Sequence, residues 1–218
     1  MKSMAKKQEL TVNGRKVPVT NLDKVLYPAV HFTKGQVIDY YVRVADFILP
    51  HLSDRPVTLK RFPNGVRSQF FYEKDAPKFT PDWIRTVPVP RRDRSHTDIN
   101  YIVIDDLATL VWLANLANLE IHPFLHRAPD LDRPTSIVFD FDPGEGVNVL
   151  HCARVAFLVR DLLGQLDLTV FPKVSGSKGL QVYVPLNTPN VTYATTQPFA
   201  KTVAELMASV TQTLLSQK

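Results

Sequence analysis

Ile137-Val138-Phe139-Asp140-Phe141-Asp142-Pro143-Gly144 is the stretch on which the fold turns. Its apolar and acidic residues alternate, and a strand shows alternate residues to opposite faces. Ile137, Phe139 and Phe141 are expected to face a core, while Asp140 and Asp142 share the other face with Val138. Pro143-Gly144 ends the strand as a turn. Neighbouring carboxylates on one face repel each other. A divalent cation between them relieves that repulsion, and hard oxygen donors suit Mg²⁺ or Mn²⁺. A plain turn, with Asp140 exposed at the strand end, fits the same residues.

Downstream, the pattern predicts a helix over 149–166, strands over 169–174 and 180–186, and a final amphipathic helix over 195–215. The two strands are joined by Ser175-Gly176-Ser177-Lys178-Gly179. Glycines let a backbone approach a ligand closely, and Ser175, Ser177 and Lys178 can bind phosphate oxygens. The spacing is not that of a Walker loop, and a strand rather than a helix follows. A polar hairpin loop is the competing reading. The loop comes one helix and one strand after the aspartate pair, so both can reach a common edge of one sheet.

Upstream, an apolar helix is predicted over 107–119 and a strand over 119–125. That strand carries His122 on the same face as Glu120, and a structural role fits His122 as well as a catalytic one. Nearer the start, Asn13-Gly14 marks a hairpin between strands at 9–13 and 16–19. Thr33 can cap a helix that runs to about residue 49 and stops at Pro50. Further strands are predicted at 57–62, 69–73, 84–89 and 101–104. The order implies an α/β protein of the α+β type, with mixed or antiparallel sheets flanked by helices.

The chain has 218 residues, 44% of them hydrophobic and 22% charged, so it can bury a core and is not of disordered composition. Its one cysteine, Cys152, excludes an internal disulfide and a multi-cysteine zinc site. No apolar run approaches the length of a membrane span. The first residues are basic and polar, unlike a secretory leader, so a reducing, cytoplasmic setting is expected. The net charge of +5 is uneven: residues 1–100 hold 18 Lys+Arg against 10 Asp+Glu, and residues 101–218 hold 8 against 11. A basic surface for a polyanion beside an acidic one for a cation explains this asymmetry, as does uneven solvated charge. The basic part carries Lys24, Lys34, Lys60, Arg61, Arg67, Lys74, Arg91, Arg92 and Arg94. Phe62, Phe70, Phe71, Tyr72 and Trp83 lie among them. Such cations neutralise phosphates, and exposed aromatics stack on bases.

Taken in order, several motifs resemble the polymerase domain of bacterial DNA ligase D, of the archaeo-eukaryotic primase superfamily. They are Asn21-Leu22-Asp23-Lys24-Val25-Leu26-Tyr27-Pro28, Thr33-Lys34-Gly35 and Leu59-Lys60-Arg61-Phe62-Pro63-Asn64-Gly65. Next come Leu110-Val111-Trp112-Leu113-Ala114-Asn115, Leu119-Glu120-Ile121-His122-Pro123, Phe139-Asp140-Phe141-Asp142-Pro143-Gly144-Glu145-Gly146 and Ser175-Gly176-Ser177-Lys178-Gly179-Leu180.

The resemblance implies a primase-polymerase fold and nucleotidyl transfer with Mn²⁺ or Mg²⁺ at double-strand-break ends, in non-homologous end joining. It implies partners: DNA ends with a 5′-phosphate, nucleoside triphosphates, Ku, and ligase or nuclease domains, in the bacterial cytoplasm at the nucleoid. Asp140 and Asp142 match its metal motif and are the catalytic expectation. Ser175 and Lys178 match its triphosphate loop, and His122 a histidine that contacts the incoming nucleotide. Lys24 and Lys34 match lysines that grip the 5′-phosphate of a downstream strand. Lys60 and Arg61 match basic residues near the active site and template. Phe71 and Tyr72 fall where two aromatics stack at the DNA end.

Two departures stand out. Gln181 replaces a usual histidine beside the triphosphate loop; it can hydrogen-bond a phosphate but carries no charge. The family's third metal-binding aspartate lies on a later strand, whereas after Gln181 the only acidic residue here is Glu205. The expectation is therefore a domain lacking its C-terminal part, with slow primer extension. The expected organisation is a tail at 1–8 and a single domain at 9–218, with a DNA-end part at 9–100 and a metal and nucleotide part at 101–218. The alternatives are a 5′-phosphate end-binding module with little or no synthesis, and a haloacid-dehalogenase-like phosphatase, whose nucleophile motif is also Asp-x-Asp after an apolar strand.

Overall fold

Asn13 and Gly14 lie at positive φ, 48° and 78°. That lets a two-residue turn join β1 (Lys7–Val12) to β2 (Arg15–Thr20), with Val12 opposite Arg15. The structure, a computed structural model, describes residues 7–91 and 97–216. Lys7 and Gln8, expected in a tail, pair instead with Thr20 and Val19. Residues 1–6 of that tail, like Arg92 and Arg94, lie outside the described residues. Two short antiparallel strands follow, β3 (Val25–Tyr27) and β4 (Phe32–Thr33).

Thr33 caps α1 (Lys34–Leu52) as expected. Its hydroxyl accepts from the Gln36 amide at 3.3 Å, and the Gln36 side chain accepts from the Thr33 amide at 2.8 Å. Pro50 does not stop the helix. It sits in the last turn, where a missing N–H forfeits one bond, and the Ser53 amide still closes onto the Leu49 carbonyl at 2.9 Å.

Met1–Pro129 forms one compact unit and Asp130–Lys218 a second. The main sheet of the first unit has five strands: β5 (Pro56–Arg61), β6 (Phe71–Glu73), β7 (Thr86–Val89), β8 (Ile99–Val103) and β9 (Asn118–Pro123). β5 pairs antiparallel with β9 along most of its length, and with β8 and β6 at its two ends; β7 pairs with β8. α2 (Leu107–Asn115) is buried on nearly every side. It ends before the expected residue 119, because Ala117 turns the chain at φ 56° into β9. One core unites Val17 and Val19 of β2, Val37 and Tyr41 of α1, Leu59 of β5, and Leu110 and Leu113 of α2. A short strand, β10 (His126–Arg127), closes this unit. The expected division at residue 100 cuts this sheet, since β8 straddles it and β9 lies beyond it.

The second unit contains β11 (Asp130–Pro134), β12 (Ser136–Phe141), α3 (Val149–Gly164), β13 (Phe171–Val174), β14 (Leu180–Pro185) and α4 (Tyr193–Ser216). Its sheet has the order β12-β14-β13, all antiparallel. Ile137, Phe139, Val182 and Val184 cover one face of that sheet and pack with Val159 and Leu163 of α3 and Val203 and Met207 of α4. The opposite face carries Asp140, Gln181 and Lys173.

Candidate functional site

In β12 the alternation holds: Ile137 and Phe139 are each 7% exposed, while Asp140 and Asp142 are exposed. Asp140 lies opposite Gln181 of β14, and Gln181 lies opposite Lys173 of β13. Directly opposed residues share a face, so an acid, an amide and a cation cross this face of the sheet in one row. The Tyr183 hydroxyl donates to Gln181 Oε1 at 3.2 Å, and its ring carries the Lys173 ammonium 5.2 Å from the centroid.

The loop between β13 and β14 closes on itself. The Ser175 amide donates to the Gly179 carbonyl, and the Gly179 amide to the Ser175 hydroxyl, both at 3.1 Å. Gly179 has no room for a side chain: a Cβ there would lie 2.6 Å from Asp142 Oδ1 and 2.7 Å from the Phe141 carbonyl. The Asp142 carboxylate is thus laid directly against the loop. Lys178 Nζ donates to the Pro143 carbonyl at 3.4 Å, tying the loop to the turn after β12. An open cleft of about 590 Å³ lies there, lined by Gly144, Asn148, Ser177 and Lys178 among others. α3 starts at this cleft, capped by Asn148, whose Oδ1 accepts from the Leu150 amide at 3.0 Å. A helix N-terminus and a lysine both favour an anion.

Among the described residues, no cluster of three or more acidic, histidine or cysteine side chains able to hold a metal forms. Glu205 lies on α4 and pairs with Lys201 at 3.8 Å.

The first unit carries a second constellation, on β5, β6 and β9. Lys60 lies opposite both Tyr72 and Glu120. Its Nζ meets Glu120 Oε1 at 2.7 Å, and Glu120 Oε2 lies 3.4 Å from His122 Nε2. The same ammonium sits 4.5 Å from the Phe70 ring centroid, 5.4 Å from Phe62 and 5.8 Å from Tyr72. Tyr72 meets the His122 ring edge-on at 5.8 Å. Phe70 and Tyr72 are 44% and 54% exposed, so this is an aromatic platform open to solvent with a cation at its centre.

Arg61 and Phe71 are each one residue out of step with this platform. Arg61 pairs with Glu73 at 2.8 Å, donates to the Leu116 carbonyl at 3.0 Å and lies 5.1 Å from the Phe71 ring centroid.

Lys24 and Lys34 form a third group, at the start of α1. The Lys34 amide donates to the Lys24 carbonyl at 2.8 Å. Lys24 is exposed, and its Nζ donates to Asn64 Oδ1 at 3.1 Å. Lys34 is only 5% exposed. Its Nζ donates to Asn115 Oδ1 at 2.9 Å, to the Asn115 carbonyl at 3.0 Å and to Thr20 Oγ1 at 3.4 Å. Burial, and then the charge of Lys24, lower its pKa to about 8.

Comparison with known proteins names this arrangement. Residues 33–218 match the model of the LigD primase-polymerase domain. The chain belongs to that family. The polymerase domain of Mycobacterium tuberculosis ligase D, solved in complex with DNA, superposes with a TM-score of 0.81 at 41% identity, over 88% of this chain and 68% of that one. The multifunctional non-homologous end joining protein LigD of Mycolicibacterium smegmatis is 44% identical over 80% of this chain, but that match covers only 23% of its own length. The bifunctional LigD of Bacillus subtilis is 37% identical over 87% of this chain and 30% of its own. The chain therefore spans about a quarter of the curated relatives it matches. The family assignment sets aside the phosphatase alternative.

Within this LigD-type domain, the structure gathers Asp140, Asp142, Ser175, Lys178 and Gln181 at one edge of the second sheet. In the first unit it gathers Lys60, Tyr72 and His122, and separately Lys24 with Lys34. The expected aromatic pair is split: Tyr72 joins the platform, while Phe71 covers Arg61 on the opposite face. The partner of Tyr72 is Phe70, at a centroid distance of 5.8 Å. Phe70 is among the aromatics that the basic part offers for stacking, but the resemblance pairs Tyr72 with Phe71; the period of 2 places Phe70, not Phe71, with Tyr72. Glu120 and Asn115 are partners that the sequence does not single out. Glu120 has the same signal, two residues before His122; Asn115, the last residue of an apolar helix, has none.

Proposed function

We propose that the chain is a nucleotidyltransferase that adds ribo- or deoxyribonucleotides at the ends of broken DNA during end joining. The observation that carries this reading is the Asp140–Asp142 edge laid against the Ser175–Gly179 loop, beside a cleft that favours an anion. Two exposed carboxylates on one strand, with a glycine cradle that only a missing Cβ keeps open, fit a hard divalent cation, Mn²⁺ or Mg²⁺. Bound there, the cation would supply Lewis-acid activation of a primer 3′-hydroxyl and neutralise triphosphate charge. Lys178, Ser175 and Ser177 would hold the triphosphate, and Gln181 would donate an uncharged hydrogen bond to it. His122 would orient the nucleotide, and the Phe70–Tyr72 platform would stack bases with Lys60 at its centre. Lys24 and Lys34 would supply the charge that recognises a downstream 5′-phosphate. Ku, and ligase and nuclease domains, are the proposed protein partners, in the bacterial cytoplasm.

Template-dependent primer extension with Mn²⁺ tests the reading. Wild type is expected to extend, and Asp140→Ala and Asp142→Ala each to lose about 100-fold or more, as when reacting groups lose their positioning. DNA binding without extension by wild type would instead support an end-binding module. Extension unchanged in both variants would overturn the site.

A further inference from the structure

Lys34 is a buried cation held entirely by neutral oxygens. Its three hydrogen-bond acceptors are the Asn115 side chain, the Asn115 carbonyl and the Thr20 hydroxyl. Among the described residues, no carboxylate forms an ion pair with Lys34 or with Lys24. Buried charges are ordinarily paired. What offsets this one is the C-terminus of α2: Asn115 is its last residue, and a cation there meets the negative end of the helix dipole. That is a partial compensation, about half a charge.

The Asn115 side chain is fixed on both sides. Oδ1 also accepts from the Thr20 amide at 2.9 Å, and Nδ2 donates to the Pro18 carbonyl at 3.3 Å. An aspartate would fit the same space, keep the bonds through Oδ1 and turn Lys34 into an internal ion pair, at the loss of the bond to the Pro18 carbonyl. The sequence places the uncharged amide there instead. Nor do the amides at the start of α1 offer an anion site, since those of Lys34, Gly35 and Gln36 are bonded to the Lys24 carbonyl, the Leu22 carbonyl and Thr33 Oγ1. The charge that would attract an anion here is that of the two lysines, not of these amides.

We propose that Asn115 is a specificity-determining residue for the 5′-phosphate: it positions the Lys34 ammonium with a neutral oxygen and so leaves its charge available to a terminal phosphate. This rests on the reading of Lys24 and Lys34 as the 5′-phosphate site. The exposed Lys24 meets the phosphate at the surface, and Lys34 acts from behind it, in surroundings where little water screens its charge. The low pKa of Lys34 has the same origin: burial first, and the neighbouring charge of Lys24 second.

The test compares the affinity of the full chain for one duplex end carrying a 5′-phosphate and the same end carrying a 5′-hydroxyl, at pH 7. Asn115→Ala removes the side-chain acceptor without adding charge; Asn115→Asp keeps the acceptor and cancels the charge. The preference for phosphate is expected to be largest in wild type, reduced in N115A and lost in N115D, where the two affinities come within about twofold of each other. N115D should melt no lower than N115A, because its new ion pair holds the same three elements. A purely structural Asn115 gives the reverse order, with N115D at least equal to wild type and N115A weakest; that order overturns the proposal. If N115D melts below the assay temperature, Thr20→Asp, at the other side-chain acceptor, carries the same expectation. A wild-type chain without any phosphate preference overturns the underlying reading itself, and this inference with it. A wild-type preference that survives in N115D overturns the inference alone.

Discussion

At the scale of single residues, charge and space are decided by what lies within a few ångströms. Lys34 has a pKa lowered to about 8, by burial first and by Lys24 second. A lysine with a depressed pKa is charged below that value and neutral above it. The second ionisation of a terminal phosphate lies near pH 6, so the phosphate stays fully charged through this range. The preference for 5′-phosphate ends is therefore expected to decline as pH rises from about 7 to 9, with its midpoint near 8; competition binding across that range measures it, and a flat profile would refute it. The sign for stability is opposite: between about 8 and the ordinary lysine value the unfolded chain binds more protons, so this group makes stability rise with pH. Gly179 shows the steric counterpart. A Cβ at 2.6 Å from Asp142 Oδ1 must push the carboxylate or the loop aside. Gly179→Ala is expected to cost about 1–3 kcal/mol, as overpacking does, and to weaken Mn²⁺ binding in a calorimetric titration. Gly164→Ala, where no atom lies within 4 Å of the added carbon, should leave Mn²⁺ binding intact.

Single elements obey their periods closely, and their ends less so. β12 presents its aspartates as the alternation demands, and the Asn13-Gly14 turn sets the β1–β2 register. β6 makes the same rule functional. Tyr72 and Phe70 share a face with Lys60 and His122, whereas Phe71 turns to Arg61 and Glu73. A stacked base contributes about 1–3 kcal/mol by alanine substitution. Phe70→Ala and Tyr72→Ala are each expected to weaken single-strand overhang binding by roughly tenfold, and Phe71→Ala by much less. Equal losses in all three, read by fluorescence anisotropy, would contradict this assignment of faces. Helix ends follow these local rules less closely. Pro50 looks like a stop, yet in a last turn it removes only one bond. α2 looks continuous to residue 119, yet Ala117 breaks it at a left-handed φ that no sequence rule assigns to alanine.

At the scale of the whole molecule, charge and chemistry follow the two units. Lys24, Lys34, Lys60, Arg61, Tyr72 and His122 all belong to Met1–Pro129, and the aspartate edge with its loop belongs to Asp130–Lys218. Each unit has its own core: one built on the β2 hairpin strand, α1, α2 and β5, the other on β12 and β14 against α3 and α4. None of the described helices is long and apolar enough to cross a membrane. The chain spans a quarter of the LigD proteins it resembles, and within that quarter the Lys24–Lys34 and Lys60 groups lie in one unit and the acid pair, with Lys178, in the other.

The sequence by itself determined the α+β class, the strand alternation that pairs Asp140 with Asp142, the cap at Thr33 and the family. All of these are local: they depend on periods of 2 and 3.6, on turn residues, or on the order of short motifs. Only the tertiary structure decided which groups meet. It brought Asn115, at the end of α2, to the ammonium of Lys34, at the start of α1, and Lys60 of β5 to Glu120 of β9. It also drew the unit boundary at residue 129 rather than 100, because β8 and β9 return to pair with β5. Contacts of this kind are settled by strand register and by the folding of distant segments onto one core, and no window of sequence contains both partners.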